Sequence, residues 1–162
     1  MAKTKKALQS SNYKIDDLDV AILRALQEDS RTPVQLISEK VNTPASTIHY
    51  RLKRMKETSL IDGYYVKLNP TRLNLDYMTI IQVRTKESTK TYRKTGNELA
   101  KFKDIWAVYF TLGEWDFILL CRVKNRTSYL DLLEKIMHIE DVERTTSVII
   151  AEVIKEDPRI NL

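Results

Sequence analysis

This chain is short of the residues that covalent or metal chemistry needs. It has one cysteine, Cys121, in 162 residues, so no internal disulfide can form. Its two histidines, His49 and His138, lie far apart and form no cysteine–histidine set with metal-ligand spacing. The three glycines build no phosphate-binding loop, and no serine–histidine–aspartate arrangement is visible. No apolar run approaches the ~20 residues that a membrane-crossing helix needs. Met1 to Ser11 is basic and polar, without the apolar segment of a secretory signal. Together these gaps argue against an enzyme, a disulfide scaffold and a membrane protein. The expectation is a cytoplasmic protein with no cofactor and no metal.

The chain does have basic charge in a particular place. The net charge is +5, and residues 1–70 hold 12 of the 27 Lys/Arg against 8 of the 22 acids. Residues 1–13 read as a disordered basic arm. A first helix is expected from about Asp16 to Asp29, with Leu18, Ile22, Leu23 and Leu26 on one face. Asp16, Asp17 and Asp19 sit in its first turn, where negative charge suits the helix dipole. Thr32-Pro33 opens a second helix carrying Val34, Ile37 and Val41, with Leu36 beside them. Asn42 suits the turn, because asparagine tolerates a left-handed backbone. Thr43-Pro44 opens a third helix that ends near Thr58.

The third helix has two unlike faces. Ile48, Leu52 and Met55 form an apolar stripe at i, i+4, i+7. Thr47, Tyr50, Arg51 and Arg54 lie on another side, flanked by Ser46, His49, Lys53 and Lys56. An apolar helix one tight turn upstream makes this a helix-turn-helix pattern, with the third helix presented to DNA. Ser46, Thr47, His49 and Tyr50, near the helix start, suit base edges. Lys53, Arg54 and Lys56 suit phosphates. Arg51 can instead serve the domain edge, paired with an acid such as Glu39 or Asp62. A basic helix face alone is as readily a solvated surface; the helix-turn-helix context tips the reading to nucleic acid.

A connector follows. Leu60-Ile61-Asp62-Gly63 turns into a short strand ending at Asn69-Pro70. Beyond it the pattern becomes strand Tyr77–Arg84, helix Thr89–Phe102, strand Ile105–Thr111, turn Leu112–Trp115, strand Asp116–Val123, helix Thr127–Ile139 and strand Val142–Ile154. That order, βαββαβ, is ferredoxin-like. Helices cover one sheet face only. Val148, Ile150 and Ile154 point one way and Ile149, Ala151 and Val153 the other, so the uncovered face is expected to be apolar and to pair with a second copy. The fold class is therefore α+β: a three-helix, winged-helix-like helix-turn-helix domain at 14–62, a linker strand and hinge at 63–76, a ferredoxin-like domain at 77–157, and a tail at 158–162.

With both halves placed, residues 15–157 resemble the Lrp/AsnC, or feast/famine, family of transcription regulators. Ile15-Asp16-Asp17-Leu18-Asp19 with Ile22-Leu23 and Leu26 is similar to the family's opening helix. Ser46-Thr47-Ile48 and Arg51-Leu52-Lys53-Arg54-Met55 are similar to its recognition helix, and Leu60-Ile61-Asp62-Gly63-Tyr64 to its exit into the linker. Gly113-Glu114-Trp115-Asp116-Phe117 resembles its Gly-x-x-Asp turn, and Thr145-Thr146-Ser147-Val148 its Thr-x-Thr stretch. Asn42-Thr43-Pro44 stands where the family has Gly-Leu-Ser, and Ser147 where it has a second threonine.

The resemblance implies a homodimer that assembles further, to a tetramer or octamer, with a small-molecule effector, commonly an amino acid, bound where dimers meet. Carried over residue by residue, the effector site is Tyr109, Leu112, Gly113, Glu114, Trp115 and Asp116, with Thr145, Thr146 and Ser147. A glycine turn can bring backbone N–H groups close to a carboxylate. Asp116 or Glu114 can pair with an ammonium, and two hydroxyls two residues apart on a strand share one face. The same residues also read as a tight turn with Trp115 as packing. The expected function is sequence-specific DNA binding modulated by that effector; the alternative is a metabolite-binding or scaffolding module with no DNA target.

Overall fold

The computed structural model describes residues 13–86 and 92–162. The expected basic arm therefore lies outside the described residues, apart from Tyr13, and so does the start of the expected helix at Thr89. The described chain forms two compact units: residues up to Lys67 together with Asp157–Leu162, and Leu68–Glu156.

The first unit is helical. Helices α1 (Asp17–Glu28), α2 (Val34–Lys40) and α3 (Ala45–Glu57) surround Ile22, Ala25, Ile37, Ile48 and Met55. α1 starts with a reciprocal capping box. The Asp16 carboxylate accepts from the Asp19 N–H at 3.0 Å, and the Asp19 carboxylate accepts from the Asp16 N–H at 3.2 Å. Two helix donors that the first turn leaves without partners are thus satisfied.

The Thr-Pro starts differ from expectation. Pro33 and Pro44 are the N-caps, and Thr32 and Thr43 donate backward to the carbonyls of Asp29 and Val41. The threonines close the preceding turn, and proline's fixed φ leads the chain into the helix. Asn42 is left-handed, with φ 47°. The exit from α3 turns at Ser59 (φ 58°), where the N–H groups of Leu60 and Ile61 both reach the Met55 carbonyl, so Gly63 is not needed for the turn.

Residues 157–162 belong to this unit. Gln27 on α1 clamps Ile160 from both sides, donating to its carbonyl at 3.0 Å and accepting from its N–H at 2.7 Å. Arg24 donates to the Leu162 carbonyl. This clasp joins residues more than 130 positions apart, and no local sequence pattern signals it.

The expected linker strand has no ladder. Residues 62–69 carry strand-type side chains, yet none pairs, and Tyr65, Val66 and Leu68 are exposed. A strand requires a partner, and a single chain offers none here. For the same reason the helical unit shows no wing strand among its described residues. A 3₁₀ turn at Thr71–Leu73 follows.

The second unit is a four-stranded antiparallel sheet in the order β2-β3-β1-β4, with β1 Tyr77–Thr85, β2 Ile105–Phe110, β3 Phe117–Val123 and β4 Val142–Ile149. Helices α4 (Tyr92–Leu99) and α5 (Arg126–Met137) complete βαββαβ. The α5 start is capped by Asn125, which accepts from the Ser128 N–H at 2.9 Å. Ile81, Val83, Phe117, Leu119, Cys121 and Val123 line the helix side with Leu99, Leu132 and Ile136. Burial pushes the Cys121 thiol up to about 12, which leaves it an inert core residue. Gly96 is where α4 comes close to the sheet: a Cβ there would lie 3.2 Å from the Phe117 ring.

The last strand ends at Ile149, five residues short of the expected Ile154; Ile150 still donates to the Met78 carbonyl, and Ile154 is exposed. The register also corrects the expected apolar face. Alternation with the buried positions puts Ile80, Ile118, Leu120 and Val148 on the uncovered side, together with Gln82, Arg84, Arg122, Arg144 and Thr146. That face is apolar in the middle and basic toward its ends.

Candidate functional site

α3 displays Ser46, His49, Tyr50 and Lys53 in one exposed row at i, i+3, i+4, i+7. Arg54 and Lys56 are exposed beside it, and Thr47 is half-buried. The row is held from behind by Ile48 and Met55, which are fully buried. Lys53 has a loose partner in Glu57 at 3.9 Å. The Arg54 guanidinium lies over the rings of Tyr13 (5.2 Å) and Tyr50 (5.9 Å), and Lys56 over Tyr64 (5.0 Å). These aromatic contacts aim long cationic side chains without neutralising them.

Arg51 is placed elsewhere. Its guanidinium binds Asp16 at 2.7 Å and Asp19 at 3.1 Å, and Asp19 is fully buried. The Tyr13 hydroxyl and then the Asp16 carboxylate beside it raise its already high pKa. The Asp19 N–H, and further the Arg51 guanidinium, hold the Asp16 carboxyl below its usual range. Arg51 therefore fastens α3 to the start of α1. Its partners are not Glu39 or Asp62, and the spacing of 32 to 35 residues explains why the sequence did not pair them.

The loop expected to hold an effector lies in the sheet unit. Leu112 is 94% exposed, Tyr109 is exposed and Trp115 is half-buried. Asp116 is buried, and one of its oxygens accepts from both the Thr85 N–H (2.7 Å) and the Thr85 hydroxyl (3.0 Å). It pins the loop to the end of β1. Arg84 donates to the carbonyls of Gly113 and Glu114 and approaches Asp116 at 3.9 Å. Gly113 has no positive φ, and a Cβ there would meet nothing within 4 Å, so neither backbone nor internal packing requires glycine.

Thr145 and Ser147 do share a face, but it is the helix side. They pair with the buried Val83 and Ile81, and the Thr145 hydroxyl reaches the Met137 sulfur at 3.4 Å. Thr146, opposite Gln82, is the hydroxyl on the uncovered side. Two arginines there, Arg84 and Arg144, were missed as loop neighbours. They sit opposite each other across β1 and β4, which only the strand register discloses.

Family models match both units: the AsnC-type helix-turn-helix domain over residues 15–56 and the Lrp/AsnC ligand binding domain over residues 78–160. The chain belongs to the Lrp/AsnC family. An HTH-type transcriptional regulator of Pyrococcus abyssi is 32% identical over 146 residues, covering 90% of this chain and 98% of the relative. An AsnC family regulator from Agrobacterium tumefaciens has the same fold, with a TM-score of 0.84 at 24% identity, covering 91% of this chain and 97% of that one. So does the feast or famine regulatory protein of M. tuberculosis solved with L-methionine, at TM-score 0.84 and 22% identity over 91% and 99% of the two chains.

The chain is thus a helix-turn-helix DNA-binding transcription regulator of the Lrp/AsnC type. Members of this family are transcriptional regulators, in keeping with the lack of catalytic constellations in the sequence. Among the described residues no helix is long and apolar enough to cross a membrane, and no His/Cys/Asp/Glu group could hold a metal.

Proposed function

We propose that this regulator reads specific double-stranded DNA through Ser46, His49 and Tyr50, with Lys53, Arg54 and Lys56 on phosphates. The observation that carries this is the exposed row on α3, backed by buried Ile48 and Met55 and fixed by the Arg51 triad. A rigid helix with short polar groups at its start and cations further along fits a major groove. Thr47, half-buried, contacts at the margin. Two copies pair through the uncovered sheet face and read half-sites about one helical turn, or a multiple, apart; pairs of dimers assemble into tetramers or octamers. The protein acts in the cytoplasm and needs no cofactor.

The effector is an amino acid held at the loop Leu112–Trp115 with Tyr109 and Thr146. The M. tuberculosis protein solved with L-methionine supports this reading by analogy. Asp116, engaged by Thr85, positions the loop rather than touching ligand. Thr145 and Ser147, on the helix side, support the strand. Effector binding changes assembly or head spacing, and by linkage DNA changes effector affinity equally.

A gel shift with the DNA upstream of the chain's own coding sequence, at physiological salt with and without each amino acid, tests both parts. A specific shift altered by at least one amino acid is expected. No specific shift under any condition overturns the DNA reading in favour of a metabolite-binding or scaffolding module.

A further inference from the structure

Arg84 and Arg144 face each other across β1 and β4. Like charges at directly opposed strand positions destabilise a sheet, so each needs compensation. For Arg84 it is built in. Its guanidinium takes the carbonyls of Gly113 and Glu114 and lies near buried Asp116, itself fixed by Thr85. Arg144 has a looser arrangement. Its carboxylate partner is Glu114 at 3.4 Å, through one oxygen, with side chains 56% and 73% exposed. The guanidinium lies over the Trp115 ring, 4.8 Å from the centroid.

We propose that Arg144 is the carboxylate anchor of the effector site and that Glu114 is an internal stand-in for the ligand. This rests on the effector reading above and names the chemistry it requires: a small molecule with a free carboxylate. Trp115 forms a shelf that orients the planar fork, leaving its edge for two parallel N–H···O bonds. Glu114 uses that edge with a single oxygen from a solvated loop. A ligand carboxylate that engages both nitrogens and shields the site from water displaces it. The expectation that Glu114 pairs with a ligand ammonium predicts the opposite response to its neutralisation, so one substitution separates the two.

The test is calorimetry of the full chain with L-methionine, L-glutamate and L-methioninamide at fixed ionic strength. In parallel, Trp115 fluorescence is titrated with acetate in a Trp106→Phe background. For the amino acid that binds, Arg144→Gln weakens binding about tenfold or more, as expected for a lost charged hydrogen-bond pair. Removing the carboxylate, as in L-methioninamide, loses a similar factor. Glu114→Gln tightens binding about threefold, because a weak surface competitor is gone.

Equal affinity of wild type and Arg144→Gln overturns the anchor while leaving the amino-acid effector intact. Weaker binding by Glu114→Gln overturns the stand-in. Arg144-dependent acetate binding with no response to either amino acid keeps the anchor and overturns the amino-acid reading. No response to acetate or to any amino acid overturns both.

Discussion

The two units solve the same problem with different means. Among the described residues, the sheet unit buries a continuous apolar layer of eleven core residues between one face and two helices. The helical unit has five such residues among those described, and it adds the ion triad Asp16–Arg51–Asp19 and the Gln27–Ile160 clasp. Small cores bury proportionally less surface, so specific polar ties carry more of the stability. The helical unit thereby places a fixed charge cluster on the same helix as the face proposed to meet DNA. Arg51 and Arg54 are three residues apart on α3, yet one is locked inward and the other is left outward.

Ile48→Ala breaks the contrast hardest. Loss of a fully buried isoleucine costs about 2–5 kcal/mol, a large share of what a small core supplies. Amide exchange then shows α1–α3 unprotected while β1 and β3 keep their protection; simultaneous loss in both units contradicts independent stabilisation. Arg51→Ala comes next. It strands the buried Asp19 carboxylate and is expected to cost about 2 kcal/mol, below the full figure for a buried pair because Arg51 is partly exposed. Arg54→Ala changes stability by at most about 0.5 kcal/mol, as surface changes do, while weakening DNA binding. Urea denaturation of the two variants checks the difference, and equal midpoints refute it.

A third prediction follows from Asp16. Its folded-state pKa is depressed below 3.8, so its contribution is present above that value and is lost as pH falls through the lower folded value. The helical unit should lose stability below about pH 4, with Asp16→Asn flattening that limb of the profile. An unchanged acid limb removes Asp16 from the account. The smallest effect belongs to the outward charges. Lys53→Ala should lower the slope of log affinity against log salt by roughly 0.9 if it meets a phosphate, and a wild-type slope removes it from the interface.

Much of the architecture was legible because it is periodic. Ile48, Leu52 and Met55 announced α3, and βαββαβ was written in alternating residues with turns between them. Asn42 was legible because few residues accept its backbone angle. Apart from the Thr-Pro helix starts, the misreadings share a cause: each depended on a partner distant in the chain. Arg51 was suspected of structure, but its acids lay on a different helix. Ala151 to Ile154 continue the alternation of a strand but lie beyond the last bond to β1, made by Ile150. Thr145 and Ser147 were rightly assigned to one face, yet only the pairing with Ile81 and Val83 says which. Asp116 matched a motif, and its bonds to Thr85, 31 residues away, were not visible in the sequence.

The Gln27–Ile160 clasp has a practical consequence for anyone building probes from this chain. The last six residues belong with α1 although they follow the sheet in sequence. A fluorophore or fusion placed after Leu162 therefore reports on the DNA-reading unit. A sensor of effector binding is better inserted at the exposed loop around Leu112, the place proposed for the ligand.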